Sequence, residues 1–198
     1  LGSYYRGKHT GGFGLLSALS FNGNKVMTTG GGGAILTNDD ALADHAKHLT
    51  TTAKVAHPWE FVHDERGFNY RMPNLNAALG VAQLRQVPDF LLSKRKLAAA
   101  YKNAFADCSW LRWVDEPEHC QSNFWLASVE LEKSSSGQLE RLLKASNDAG
   151  FMTRPSWKPM HLLGIYKDMP QSDMSVTNEL SRSIVSIPSG VALSKGVG

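Results

Sequence analysis

Cysteine is scarce: Cys108 and Cys120 are the two in 198 residues. So few thiols argue against a disulfide-stapled scaffold or a multi-cysteine zinc site, and the chain reads as a reduced, cytoplasmic protein. Long apolar runs are missing as well. No stretch of about 18 apolar residues offers a membrane-spanning helix, and no signal-peptide pattern opens the chain. Basic charge is not concentrated. The 21 Lys and Arg against 18 Asp and Glu leave +3, spread from Arg6 to Lys195, whereas nucleic-acid binding by counterion release needs a dense patch. Tyr4, Tyr5, Arg6 and Lys8 make one short aromatic and basic cluster, too little for a single-strand stacking groove.

Several catalytic signatures are absent too. Gly7-Lys8-His9-Thr10 lacks the upstream glycine, and the Ser or Thr directly after lysine, that a P-loop needs. Gly31 and Gly33 have no glycine at position 36 to complete a dinucleotide fingerprint. The seven histidines contain no HExxH pair, so no metal site is expected, and no G-x-S-x-G elbow occurs.

What is present is α/β grammar. FGLLSALSF (13 to 21) has the small and apolar residues of a buried strand, and AILT (34 to 37) forms a second. Between them runs a loop, Asn22 to Gly33, that ends in four glycines. Asn38 is expected to cap a helix from Asp39 to Thr50, with Leu42, Ala46 and Leu49 on one face. From Pro73 to about Ala106 the apolar period is helical, with a kink or a break into two helices expected at Pro88. Strands are expected at 110 to 114, 124 to 131 and 151 to 155. A helix is expected from about Ser136 to Ala149, closed by Gly150, and a helix running into a strand over 177 to 187.

The chemistry concentrates in Ser20-Phe21-Asn22-Gly23-Asn24-Lys25. On spacing alone, Lys25 is either a solvated loop lysine or an amine that forms a Schiff base with a cofactor aldehyde while the Ser20 hydroxyl binds its phosphate. Attack requires the deprotonated amine, and so a partly desolvated setting or nearby positive charge.

The run SFNGNKVMTTGGGGAILTND, preceded by GKHTGGFG and followed by GFNYRMPNLNAALGVAQL at 67 to 84, resembles the pyridoxal-phosphate-dependent nucleotide-sugar aminotransferases of the DegT/DnrJ type. The likeness covers residues 2 to 105 well and the rest loosely. It implies the C-terminal part of a fold-type I aminotransferase. Residues 1–70 would be the remnant of the large cofactor-binding domain, 71–106 a linking helix or kinked helix pair, and 107–198 a small α/β domain. Lys25 matches the Schiff-base lysine and Ser20 the phosphate-binding serine. Asn69 matches an asparagine that reaches the cofactor phosphate of the neighbouring subunit, which implies a homodimer. His161 resembles a histidine near the sugar site, and Arg154 and Trp157 in the same loop are candidates to contact nucleotide or sugar.

The implied reaction is amino transfer from glutamate to a nucleotide-linked 4-keto-6-deoxy sugar. The NGNK loop and Leu49 to Val55 look most like the branch serving legionaminic-acid-type glycans. Relatives that dehydrate sugars carry histidine in place of the lysine, so Lys25 favours transamination. Family members run to roughly twice this length. The acidic partner of the pyridinium nitrogen and the stacking aromatic belong to the upstream half. A fragment is therefore expected, binding cofactor weakly or not at all alone, with an open apolar face on its first strands. A non-catalytic interaction module is the alternative.

Overall fold

The computed structural model describes residues 1–132 and 137–196. In chain order the elements are β1 (Tyr4–Tyr5), β2 (Lys8–His9), β3 (Ser17–Ser20), β4 (Gly33–Leu36), α1 (Asp40–Thr50), α2 (Asn74–Leu84), α3 (Val87–Ala104), β5 (Leu111–Trp113), β6 (Cys120–Gln121), β7 (Ala127–Leu131), α4 (Gln138–Asp148), β8 (Arg154–Pro155), α5 (Ser175–Ser183) and β9 (Ile184–Ile187). They form two compact units: Leu1–Leu91 with Pro117–Asn123, and Leu92–Glu116 with the chain from Phe124 onward. Both cysteines are free thiols. Among the described residues no helix is long and apolar enough to cross a membrane.

The first unit holds two small antiparallel sheets, ordered β2-β1-β6 and β3-β4. Arg6 and Gly7, at φ 48 and 75, close the β1-β2 hairpin with both central residues in the left-handed region, the twist that two-residue hairpins favour. Arg6 lies over the Tyr5 ring and Lys8 over Phe13, so the basic and aromatic residues here are matched to one another. β3 and β4 pair from Ser17↔Leu36 to Ser20↔Gly33. Gly33 is required there, because a Cβ would sit 2.3 Å from the Leu19 carbonyl oxygen. The buried strand expected at 13–21 is shorter and more open. Phe13, Leu15 and Leu16 are 55, 70 and 48% exposed in bends ahead of β3, and Ala18 within β3 is exposed.

Helix α1 is capped by Asp39, not Asn38: the Asp39 carboxylate accepts the Leu42 N–H at 3.0 Å, placing an acidic group at the positive end of the helix. The chain then reverses through Thr52 and Ala53 at φ 72 and 49, and residues 62–70 return along the helix end. Val55, Thr52 and Tyr70 N–H groups donate to Val62, Phe68 and Thr50 carbonyls at 2.9, 3.0 and 2.9 Å. Gly67 makes this approach possible, since a Cβ would lie 2.2 Å from the Thr52 carbonyl carbon.

The long helical stretch does divide in two, but at Arg85–Gln86 rather than at Pro88. Pro88 falls in the first turn of α3, where a missing N–H costs nothing.

The second unit is built on a four-stranded antiparallel sheet, β5-β7-β9-β8. On β7, Ala127, Val129 and Leu131 are buried while the residues between them are half-buried, the two-residue period of a strand packed chiefly on one face. Leu111, Val129, Leu131 and Val185 form the core centre, closed over by Phe105, Cys108, Leu139, Leu142 and Leu143. Each such side chain contributes about 1.5–3 kcal/mol by leaving water. The expected strands at 110–114, 124–131 and 151–155 contract to Leu111–Trp113, Ala127–Leu131 and Arg154–Pro155. Helix α4 runs Gln138–Asp148; its expected start at Ser136 lies outside the described residues.

Lys94 is 6% exposed. Its ammonium donates to the carbonyls of Phe124, Trp125 and Ser189 at 3.2, 3.3 and 2.7 Å, which ties α3 to the chain on either side of the sheet. Burial lowers its pKa from the ordinary 10.5.

Candidate active site

Lys25 sits on the loop that joins β3 to β4, and that loop is braced at both ends. Phe21 N–H donates to Gly32 O and Thr29 N–H to Phe21 O, each at 3.0 Å; the Thr28 hydroxyl adds a bond to Phe21 O at 3.0 Å. Inside this frame Lys25 N–H closes a turn onto Asn22 O at 3.0 Å. Val26, Met27 and Thr29 are buried at 8, 4 and 1% exposure, so the residues directly after the lysine anchor it while Lys25 itself is half-buried.

Helix α2 lies beneath. Asn76 donates to the Thr29 carbonyl at 2.5 Å, Gln83 accepts from Thr28 N–H at 3.4 Å, and Gly80 admits Thr29, whose Cγ2 would be 2.8 Å from a Cβ. The loop is thus fixed by backbone and amide contacts, leaving the lysine amine as a group whose placement is set by its neighbours.

Ser20 ends β3 and is exposed. Its hydroxyl oxygen accepts the Asn22 N–H at 3.4 Å, a long contact that leaves the O–H able to donate. Beside it, a Cβ on Gly23 would meet nothing within 4 Å, so there is free space on that side of the loop. A half-buried lysine, a donor hydroxyl at the strand end before it and open space beside the loop could hold an aldehyde-bearing phosphate cofactor.

Asn69 lies elsewhere in the same unit. It pairs with Thr51 as an isolated antiparallel bridge and opens into a cleft of about 1620 Å³ whose walls include Gly31, Lys47, Arg71 and Asn76. Ser20 and Lys25 do not line that cleft. Of Asn69 and Lys25, Asn69 alone lines this cleft.

His161 and Arg154 belong to the second unit. Half-buried His161 shares a hydrogen bond between Nε2 and Asn178 Oδ1 at 3.0 Å. Arg154 donates from Nη1 to Asn147 Oδ1 at 2.8 Å and to the Thr153 carbonyl at 2.7 Å. In the same loop Trp157, 74% exposed, packs against Trp125 with ring centroids 5.9 Å apart. Sequence reading passed over Trp125, and also the loop braces Asn76 and Gln83, because amides on a helix face carry no motif until the loop they hold is known.

A model of the DegT/DnrJ/EryC1/StrS aminotransferase family matches residues 1–196. Over 193 residues the chain is 35% identical to the GDP-perosamine synthase of Escherichia coli O157:H7, covering 98% of this chain and 51% of that one. It is 33% identical over 196 residues to EpsN of Bacillus subtilis, named as a pyridoxal phosphate-dependent aminotransferase, covering 96% and 49%. The fold matches Helicobacter pylori PseC, an aminotransferase of pseudoaminic acid biosynthesis, with a TM-score of 0.91 at 23% identity, over 100% of this chain and 55% of that one. The chain spans about half the length of the curated relatives it matches. By that match over nearly its whole length, the chain belongs to the DegT/DnrJ/EryC1/StrS aminotransferase family.

Proposed function

We propose that this protein transfers an amino group from an amino acid, glutamate, to a nucleotide-linked 4-keto-6-deoxy sugar, with Lys25 as the residue that binds pyridoxal 5'-phosphate covalently. The observation that carries the reading is the braced Phe21–Thr29 loop, which holds Lys25 half-buried between a donor hydroxyl at Ser20 and buried Val26 and Met27. The relatives support the class: GDP-perosamine synthase and the Helicobacter pylori transaminase acting on a UDP-linked amino sugar.

When bound, the cofactor supplies the electron sink that lets a C–H bond beside nitrogen ionise. Each residue then has a defined task. With the cofactor bound, the Lys25 Nζ would be the general base that takes the donor's α-proton and, on the return half, the group that moves a proton at the sugar carbon. Ser20 Oγ would donate to the phosphate. Asn69 would do the same for the site of a second subunit, a role that does not require it to face its own chain's Lys25. On the substrate side, Arg154 retains guanidinium donors beyond those held by Asn147 and Thr153, and His161 retains Nδ1 while Nε2 is engaged with Asn178. We assign residues 1–70 to the end of the cofactor-binding domain, 71–106 to the linking helices and 107–198 to the small domain of a cytoplasmic homodimer. The product class is an amino sugar for surface glycans of the legionaminic-acid type.

The test supplies a form of the protein that spans its relatives' full length with pyridoxal 5'-phosphate, glutamate and GDP- or UDP-linked 4-keto-6-deoxy sugars and follows products by mass. Replacement of the keto oxygen by an amine, lost in Lys25→Ala, is expected. A dehydrated sugar as product, or undiminished turnover in Lys25→Ala, would overturn the proposal.

A further inference from the structure

Four side chains that the transfer reaction does not use converge on the surface of the first unit. His45 and His48 lie one turn apart on α1, and both direct Nε2 at the same acidic pair. His48 Nε2 is 2.6 Å from Asp64 Oδ1, and His45 Nε2 is 3.0 Å from Glu65 Oε2. The nearest ligand atoms of His48, Asp64 and Glu65 all fall within 4.8 Å of one another. Two imidazoles with two carboxylates are the donor set of a borderline transition ion rather than of calcium or magnesium, which prefer all-oxygen shells.

We propose that His45, His48, Asp64 and Glu65 form a binding site for a divalent transition-metal ion of the zinc class. Ligand atoms about 2.0–2.2 Å from a tetrahedral zinc stand roughly 3.3–3.5 Å from each other. The two short pairs must open by less than about 1 Å, the separations among His48, Asp64 and Glu65 must close by at most about 1.4 Å, and His45 joins from its contact with Glu65. All four side chains keep access to solvent, at 52, 28, 53 and 47% for His45, His48, Asp64 and Glu65, so rotamer changes suffice.

The backbone beneath is already fixed on both sides. The histidines stand on a regular helix turn. The carboxylates stand on the returning segment, where Asp64 N–H donates to Ala53 O at 3.3 Å and Phe68 N–H to Leu49 O at 2.7 Å. A bound ion would replace two hydrogen-bonded pairs by a bridge between α1 and this segment, releasing any proton held on the imidazoles. The segment runs on through Gly67 to Asn69, so the ion would stiffen the strand of chain that presents Asn69. A search for HExxH does not find the site, because the ligands come from two elements.

Zinc chloride titrated into the intact protein by equilibrium dialysis tests the assignment, with cobalt(II) as a spectroscopic probe. One equivalent is expected, with cobalt d–d bands of a nitrogen and oxygen shell and no thiolate charge-transfer band. Affinity should fall at least about tenfold in His48→Ala and in Asp64→Asn. It should persist when Cys108 and Cys120 are both replaced by Ser. Asp64→Asn is nearly isosteric and exposed, so it reads out the site even if His48→Ala fails to fold. Absence of stoichiometric binding, unchanged affinity in Asp64→Asn, or loss in the cysteine variant would each overturn the proposal. None of these readouts depends on aminotransferase activity.

Discussion

Replacing Lys94 by Met probes the second unit at its least ordinary point, a buried ammonium held by three backbone carbonyls. Methionine keeps most of the stem's volume and removes the charge from three carbonyls at 2.7, 3.2 and 3.3 Å. Hydrogen bonds to a charged group are worth about 1.5–3 kcal/mol each, giving a gross loss of about 4.5–9 kcal/mol. Relief of the buried charge returns several kcal/mol of that, leaving a net destabilisation of about 2–4 kcal/mol. At a urea slope of about 1.5 kcal/mol per molar, the midpoint falls by about 1.3–2.7 M.

Tryptophan fluorescence follows this unit well, because Trp110, Trp113, Trp125 and Trp157 belong to it and only Trp59 to the other. The pH dependence has a definite sign. Burial lowers the Lys94 pKa from 10.5, so over the window between its folded and unfolded values the unfolded chain binds more protons, and wild-type stability rises with pH. The gap to Lys94→Met therefore widens as pH climbs toward 10.5. Tyr101 works in the opposite direction, since burial raises its pKa from 10.0 and its contribution declines above that value in both proteins. A variant as stable as wild type at neutral pH, or a gap that narrows in alkali, would refute the reasoning.

Other perturbations follow from single contacts. Gly67→Ala places a Cβ 2.2 Å from the Thr52 backbone and should unpair the returning segment, seen as faster hydrogen exchange at Thr52 and Phe68. Leu131→Ala, at 2% exposure in the core, should cost about 2–5 kcal/mol in chemical denaturation. The His48 hydrogen bond lowers the Asp64 pKa below 3.8. The contact is therefore present above that value and lost as pH falls through the lower folded one, so amide protection factors over 62–66, corrected for intrinsic exchange, should drop across that range in wild type and be lower throughout in His48→Ala.

Legibility followed local chemistry. The Asn22–Gly33 loop, the face of α1 bearing Leu42, Ala46 and Leu49, and the helix running into β9 could be read because cap, glycine and period signals agree within a few residues. Phe13, Leu15 and Leu16 misled because an apolar run reports a preference for burial, not whether another segment covers it. Asn38 and Asp39 are both good caps, and only the side chain that reaches Leu42 decides between them. The pairs His45–Glu65 and His48–Asp64, and the carbonyl cage of Lys94, could not be read at all. Their partners are 16 to 95 positions away in sequence and meet only through tertiary pairing. Lys25 was legible as a candidate from its motif, whereas the braces from Asn76 and Gln83 that fix its loop needed coordinates.

The central assignment is the role of Lys25, and borohydride reduction of a form of the protein that spans its relatives' full length, loaded with pyridoxal 5'-phosphate, tests it most directly. Peptide mapping by mass spectrometry should place a single pyridoxyl group on Lys25, with visible absorbance bleached by the reduction and no labelling in Lys25→Ala. A pyridoxyl group carried by another lysine, with Lys25 unmodified in active protein, would contradict it.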